Sequence, residues 1–375
     1  MDFAFSPDQQ LLRTAARAFL DERAGPRVVR ALWDTPAGHG DELWKEMARL
    51  GWLGLALPEA SGGSALGMVE TAIVLEELGR VAWPGPYLET VVAADAIARA
   101  GSAAQQARWL PAVAAGSARL TVALLGAELD WRPGATTTGA TPEADGFRLR
   151  GVHHFVPWAH VADALLVPAR SPAGLQLFLV EAGAPGLALA PVAGMDPGTR
   201  WTTVRLEGVA VPREAALGGP GSGEALGAGL LRRGAVGAAA AMLGAARRCL
   251  EMAVGYAKVR EQFGQPIGSF QAVRHTCADM LVDVENAHAA TYYAAWALDA
   301  GAADEALAAS VAKAYVGDAA RRVCGAAIQV HGGIGFTWEY DLHLYVKRAK
   351  ALEATWGDAD YHRELIVQHV AGDGQ

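Results

Sequence analysis

Two stretches of the chain carry residue types that suit phosphate. The first is Arg260-Glu261-Gln262-Phe263-Gly264-Gln265-Pro266-Ile267-Gly268-Ser269-Phe270-Gln271, at the end of a long helical run. Gly264, Pro266 and Gly268 break that run, and a second helix begins near Ser269 with Asp279 and Asp283 on its polar side. A broken helix end exposes backbone N–H groups, and a guanidinium beside it suits an anion. The second stretch is Gln329-Val330-His331-Gly332-Gly333-Ile334-Gly335-Phe336. Its glycines let a backbone approach a ligand closely. Either stretch alone describes an ordinary helix corner.

Together they form the pair R-x-x-F-G-x-x-I-x-x-x-Q and Q-x-x-G-G-x-G-F, which resembles the acyl-CoA dehydrogenase flavoprotein family. The resemblance covers nearly the whole chain. It implies that Arg260, Gln262, Phe263 and Gln271, with Gln329, Val330, His331, Gly332 and Gly333, hold the adenine and pyrophosphate half of FAD. It also implies that they hold it for the flavin of a neighbouring subunit.

The family's reaction removes a proton from the acyl α-carbon and passes the β-hydride to the flavin. It needs a carboxylate base, donors to the thioester carbonyl and a wall for the isoalloxazine ring. The resemblance places the base in a Glu-Gly pair after the penultimate helix, where this chain reads Ala354-Thr355-Trp356-Gly357-Asp358. Trp356 stands at the glutamate position. The family's alternative base position, early in the first long C-terminal helix, reads Gly234. Neither accepts a proton. The flavin-wall segment reads His154-Phe155-Val156-Pro157-Trp158. Phe155 can stack, but Pro157 offers neither N–H nor hydroxyl where the family has a hydrogen-bonding residue. The family's Gly-Ser-Asp loop is replaced by Gly126-Ala127-Glu128-Leu129-Asp130-Trp131, and its Thr-x-Gln by Asp358-Ala359-Asp360.

The chain therefore keeps what would serve a neighbour's flavin and lacks what would run chemistry of its own. The expectation is the non-catalytic half of a heteromeric acyl-CoA dehydrogenase. A paralogous catalytic subunit would bind the acyl-CoA, including bulky or steroid side-chain esters. Three other readings stay open: a self-sufficient homotetramer whose base is displaced to Glu353 or Asp358, a different reaction on the same fold such as a hydratase or an oxidase using Asp358, and a flavin-free structural or regulatory subunit.

The elements that would position these residues follow from composition and pattern. The 375 residues are 52% apolar and 19% charged, a globular composition with room for two or three compact units. A net charge of -8 without a basic tract argues against nucleic acid as a partner. Cys249, Cys277 and Cys324 form an odd, widely spaced set that fits reduced thiols and a cytoplasmic setting. No apolar run reaches the roughly 20 residues a membrane span needs.

Ser6-Pro7 reads as a helix start, and helical spacing follows over Asp8 to Glu22, Asp41 to Leu50 and Met68 to Gly79. Strand-like runs such as Ala164 to Val167 and Leu175 to Val180 occupy residues 119–216. The glycine loop Gly218 to Gly223 reads as a hinge, because no βαβ unit surrounds its GxG. Four long helices are expected at about 224–262, 269–301, 303–330 and 338–368. The predicted fold is α+β multidomain: an N-terminal helical domain (1–118), a middle β-barrel-like domain (119–216) and a C-terminal four-helix bundle (224–370).

Overall fold

The computed structural model describes residues 4–372. Six helices come first: α1 (Pro7–Arg23), α2 (Pro26–Trp33), α3 (Asp41–Arg49), α4 (Met68–Arg80), α5 (Tyr87–Ala100) and α6 (Ala103–Ala114). Eight strands follow: β1 (Leu120–Val122), β2 (Gly139–Glu143), β3 (Gly146–Pro157), β4 (Ala164–Ser171), β5 (Gly174–Glu181), β6 (Leu187–Val192), β7 (Trp201–Pro212) and β8 (Ala216–Leu217). Then come α7 (Gly223–Val259), a small ribbon of β9 (Glu261–Gln262) and β10 (Gln265–Pro266), and α8 (Gln271–Ala300). The chain ends with α9 (Glu305–His331), α10 (Leu342–Glu353) and α11 (Ala359–Gly372).

The expected last helix over 338–368 is two helices, and the bundle region holds five instead of four. Thr355, Trp356 and Gly357 break it. Trp356 and Gly357 both take left-handed backbone (φ 56° and 85°), which no helix accommodates. Helix α2 lies where no helix was expected. Its Pro26 follows Gly25, and proline starts a helix as readily as it ends one.

Contacts divide the chain into two compact units. One holds the residues up to 31, residues 68–83 and everything from 235 onward. Within it α1 opens on a capping box, Ser6 accepting from the Gln9 N–H while the Gln9 side chain returns to Ser6. Glu76 and Glu77 of α4 are buried and ion-paired, as buried carboxylates must be. Glu77 accepts from Arg17 at 2.8 Å and Arg80 at 2.8 Å. Glu76 accepts from Arg247 at 2.9 Å and from the Tyr292 hydroxyl at 2.7 Å. A Cβ on Gly244 would overlap the Glu76 carbonyl, and one on Gly79 the Ala241 carbonyl. The two glycines thus let α4 and α7 touch backbone to backbone.

The other unit holds residues 32–67 and 84–234. Its sheet runs in the order β6-β7-β3-β2-β4-β5-β8, with β1 parallel to β4. Leu149, Val167, Phe178, Val180, Val204 and Leu206 form its core. Strands β4 and β5 are buried along almost their whole length, which is why they read as short continuous apolar runs. Among the described residues no helix is long and apolar enough to cross a membrane. None of their His, Cys, Asp or Glu groups is arranged to hold a metal ion.

Candidate functional site

The Arg260 stretch is a tight hairpin. Arg260 closes α7 with its N–H on the Tyr256 carbonyl at 2.8 Å, and its own carbonyl takes the Ile267 N–H at 2.7 Å. Gln262 pairs with Gln265, and Glu261 with Pro266. Phe263 and Gly264 make the tip, both in left-handed backbone (φ 55° and 75°). Such a φ is strained for phenylalanine. The Phe263 ring is 93% exposed and meets only the edge of Phe270, centroids 6.0 Å apart, among the described ring contacts. Helix α8 follows with Gln271 as its first residue and no side-chain cap, so its first-turn N–H groups remain available.

The second stretch ends α9. Gln329 is exposed and Val330 half-buried, and Gly332 turns the chain at φ 63° and ψ -142°. Nothing lies within 4 Å of where a Cβ on Gly332 or Gly333 would sit. Both faces are therefore open to a ligand. His331 is different. Its ring is buried, with Nδ1 donating to the Ala327 carbonyl at 2.7 Å and Nε2 accepting from the Tyr340 hydroxyl at 3.0 Å. Burial lowers its pKa, which keeps that neutral tautomer. With both nitrogens engaged, His331 meets the solvent side through backbone alone.

Two contacts bring the stretches to one end of the same unit. Sγ of Cys249 and Cys324 lie 3.6 Å apart between α7 and α9. Seven residues further along each helix, Tyr256 stacks on His331 with centroids 4.6 Å apart and planes 27° apart. Seven residues are about two helical turns, so the helices run parallel in matched register and terminate side by side. The Arg260 hairpin and the Gly332 turn thus emerge together. The cysteines, widely spaced in sequence, are free thiols, and Cys249 is held protonated by its bond to Cys324 and by burial.

A second device sits at the loop between α10 and α11. Lys313 of α9 is 1% exposed, and its Nζ donates to the Glu353 carbonyl at 2.8 Å and the Gly357 carbonyl at 2.7 Å. It places an ammonium at the carbonyl end of α10, where the helix dipole favours a cation. Burial lowers its pKa to about 7 against the pull of Glu353 and Asp358. His362 donates from Nε2 to the Trp356 carbonyl at 2.8 Å and accepts from the Ser310 hydroxyl at 3.3 Å. Burial lowers its pKa to about 4. Three carbonyls of one short loop are thus gripped by two buried side chains. The Trp356 side chain they frame is 4% exposed.

The chain matches the family model for the acyl-CoA dehydrogenase N-terminal domain over residues 6–117 and that for the C-terminal domain over residues 221–371. It is 35% identical over 383 residues to the acyl-CoA dehydrogenase FadE27 of Mycobacterium tuberculosis, covering 99% of each chain. The chain belongs to the acyl-CoA dehydrogenase family. Among other relatives is the acyl-CoA dehydrogenase IpdE2 of Mycolicibacterium smegmatis, 31% identical, covering 92% of this chain and 93% of that one. The solved ChsE4-ChsE5 complex from Mycobacterium tuberculosis superposes with a TM-score of 0.92 at 34% identity, covering 99% of each chain. A variant of the Tcur3481-Tcur3483 steroid ACAD superposes at 0.90 with 35% identity and 98% coverage of each. The family is one of oxidoreductases whose cofactor is FAD, and the helical–sheet–helical order expected from the sequence is its fold.

The structure places the segments that the sequence resemblance assigned to the base and to the flavin wall as follows. Trp356 is buried and its loop is fixed. Gly234 lies buried within α7. The neighbouring carboxylates have other duties. Asp358 accepts the Tyr361 N–H at 2.8 Å as the cap of α11, and Glu353 is paired with Lys350 at 2.7 Å. At the flavin-wall segment, His154 and Phe155 together oppose one residue of β7, a β-bulge that turns Phe155 outward at φ 50° beside Trp201. Pro157 ends β3 opposite Trp201, and a proline has no backbone N–H to donate. His153 and His154 have separate partners, Thr138 at 3.0 Å and Thr203 at 3.4 Å.

Lys313, His362 and Tyr256 were not singled out from the sequence. The signal for Lys313 was a lone lysine among the alanines of an apolar stretch, Ala308 to Ala320. Arg233 is held by Asp95 at 2.7 Å. Trp338 is more than half exposed, with Lys347 over its ring at 4.6 Å.

Proposed function

We propose that this chain is one of two unlike subunits of an FAD-dependent acyl-CoA dehydrogenase. It donates the contacts to the ADP half of FAD, and a paralogous partner supplies the carboxylate base, the isoalloxazine site and the acyl-CoA pocket. The observation that carries this reading is Trp356, fixed at the family's base position while Glu353 and Asp358 are engaged elsewhere. Two similar solved structures are described as complexes or paired subunits, ChsE4-ChsE5 and Tcur3481-Tcur3483.

The residues present fit the ADP half of FAD. The Arg260 guanidinium is exposed and has no ion-pair partner among the described residues. It suits the pyrophosphate, with the uncapped first turn of α8 at Gln271 beside it. Gln262 and Phe263 line the hairpin side. Gln329, Val330, Gly332 and Gly333 offer backbone and amide contacts on the other, and His331 contributes by backbone only. FAD supplies the hydride acceptor when bound, and this chain's part is to hold its far end. The resemblance to a steroid ACAD supports a bulky, steroid-like acyl ester as the substrate class. We place the complex in the cytoplasm and divide the chain at 1–118, 119–216 and 224–370.

The test is acyl-CoA-dependent dye reduction by this chain alone, by its paralogous neighbour alone and by the co-expressed pair. Activity confined to the pair, with this chain inactive alone, is expected. Robust turnover by this chain alone would overturn the proposal and restore the displaced-base reading.

A further inference from the structure

Between the two exposed stretches lies an aromatic group: buried His331 with half-buried Tyr256 and Tyr340. Tyr256 sits one turn before Arg260 and stacks on His331. Tyr340, beyond the glycine turn, approaches the same imidazole with centroids 4.9 Å apart, and its hydroxyl donates to Nε2. The Ala327 carbonyl of α9 accepts the single ring N–H, from Nδ1. His331 thus has partners from three stretches: the end of α7, the body of α9 and the segment leading to α10.

Each partner connects onward to the site. The Tyr256 carbonyl accepts the Arg260 N–H, and the Arg260 carbonyl accepts the Ile267 N–H that closes the hairpin. The Gly332 N–H returns to the Gln329 carbonyl, so the direction of the glycine turn is set where His331 sits. Gly335 packs on the same side chain, since a Cβ there would stand 3.0 Å from the His331 Cβ. Aromatic stacking and a buried hydrogen bond are both geometry-dependent, and both act on this one ring.

We infer that Tyr256, His331 and Tyr340 are the positioning residues of the ADP site. They fix the Arg260 hairpin and the Gly332–Gly333 turn at a common height without touching the dinucleotide with their rings. The inference rests on the proposal that this end of the chain holds the ADP half of FAD. The plain alternative is ordinary core packing, and the same helix pair supplies the control. Cys249 and Cys324 join α7 to α9 two turns away and touch neither stretch of the site.

The experiment measures FAD release from the co-expressed complex by flavin fluorescence on dilution, beside the thermal midpoint of each variant. Tyr340→Phe removes one hydroxyl and is expected to weaken FAD roughly 5-fold, the worth of a neutral hydrogen bond, with little change in midpoint. Tyr256→Leu removes the stack and is expected to weaken FAD roughly tenfold, while Tyr256→Phe keeps it and binds as the natural protein does. Cys249→Ala is expected to lower the midpoint and leave FAD affinity unchanged. If FAD affinity merely follows the midpoint across all four variants, or if Tyr340→Phe and Tyr256→Leu both bind normally, the inference fails. Should Tyr256→Leu not fold, Tyr340→Phe decides alone. Arg260→Ala separates the two levels: normal FAD binding by that variant sinks the proposed site itself.

Discussion

The end of the helical unit that carries Arg260 and the loop that carries Trp356 are built alike and finished differently. Each is a place where a helix stops. Each is pinned from beneath by buried side chains, His331 in one case and Lys313 with His362 in the other. At the first, the chemistry faces outward: an arginine with no ion partner among the described residues, an exposed Phe263 and two open glycines. At the second, it is turned in: the indole is buried and the nearby carboxylates cap a helix or pair with a lysine. The difference shows that one kind of buried support can underlie either an open or a closed helix end. A loop held by three carbonyl contacts keeps its shape whatever side chain stands at its centre.

The comparison breaks most visibly at Lys313. Lys313→Met removes the donor from two buried carbonyls and is expected to cost about 3 kcal/mol in urea unfolding, with FAD affinity of the refolded complex unchanged. A parallel loss of FAD would mean the two regions are not independent. Arg260→Ala is next. It forfeits charge-assisted contacts worth about 2 kcal/mol, so FAD should dissociate roughly 30-fold more readily while the urea midpoint holds.

Acid offers a third test, because burial lowers the His362 pKa to about 4. The unfolded chain takes up that proton near 6.5, so between pH 6.5 and 4 it binds more protons than the folded chain. Stability should therefore fall on acidification, by on the order of 2 kcal/mol for this group, and His362→Gln should flatten that part of the profile. Lys313 acts in the opposite window. Its folded pKa of about 7 lies below its unfolded value, so its contribution to stability should rise with pH from about 7 to about 10. The smallest expected effect is Trp356→Glu. A carboxylate restored there should give this chain alone no measurable dehydrogenation, since Pro157 still lacks the donor and Phe155 stays on its bulge. Turnover by that single variant would contradict the account.

Much of this was readable from residues alone. The strands of the large sheet fall within a residue or two of the 119–216 span, because the buried strands β4 and β5 leave short apolar runs bounded by turn residues. The three long helices α7, α8 and α9 start and stop near their expected bounds, where Gly264, Gly301 and Gly332 take positive φ. The break at Trp356 was signalled by Gly357 and by the resemblance, which put 354–358 after a helix, yet the helical spacing alone ran the expected helix across it. Lys313 drew no reading from the sequence. Its role depends on α10 and α11 meeting above it, which no local pattern encodes. The pairing of Tyr256 with His331 was within reach in principle. Three consecutive long helices with short connections alternate in direction, so the first and third run parallel and end together.

The most direct measurement is the flavin count of the purified complex of this chain with its paralogous partner, from the visible spectrum and the mass. One FAD per pair, lost when Arg260→Ala is introduced into this chain, is the predicted result. Two FAD per pair, or a yellow assembly of this chain alone that bleaches with an acyl-CoA, would contradict the division of labour between clamp and catalytic subunit.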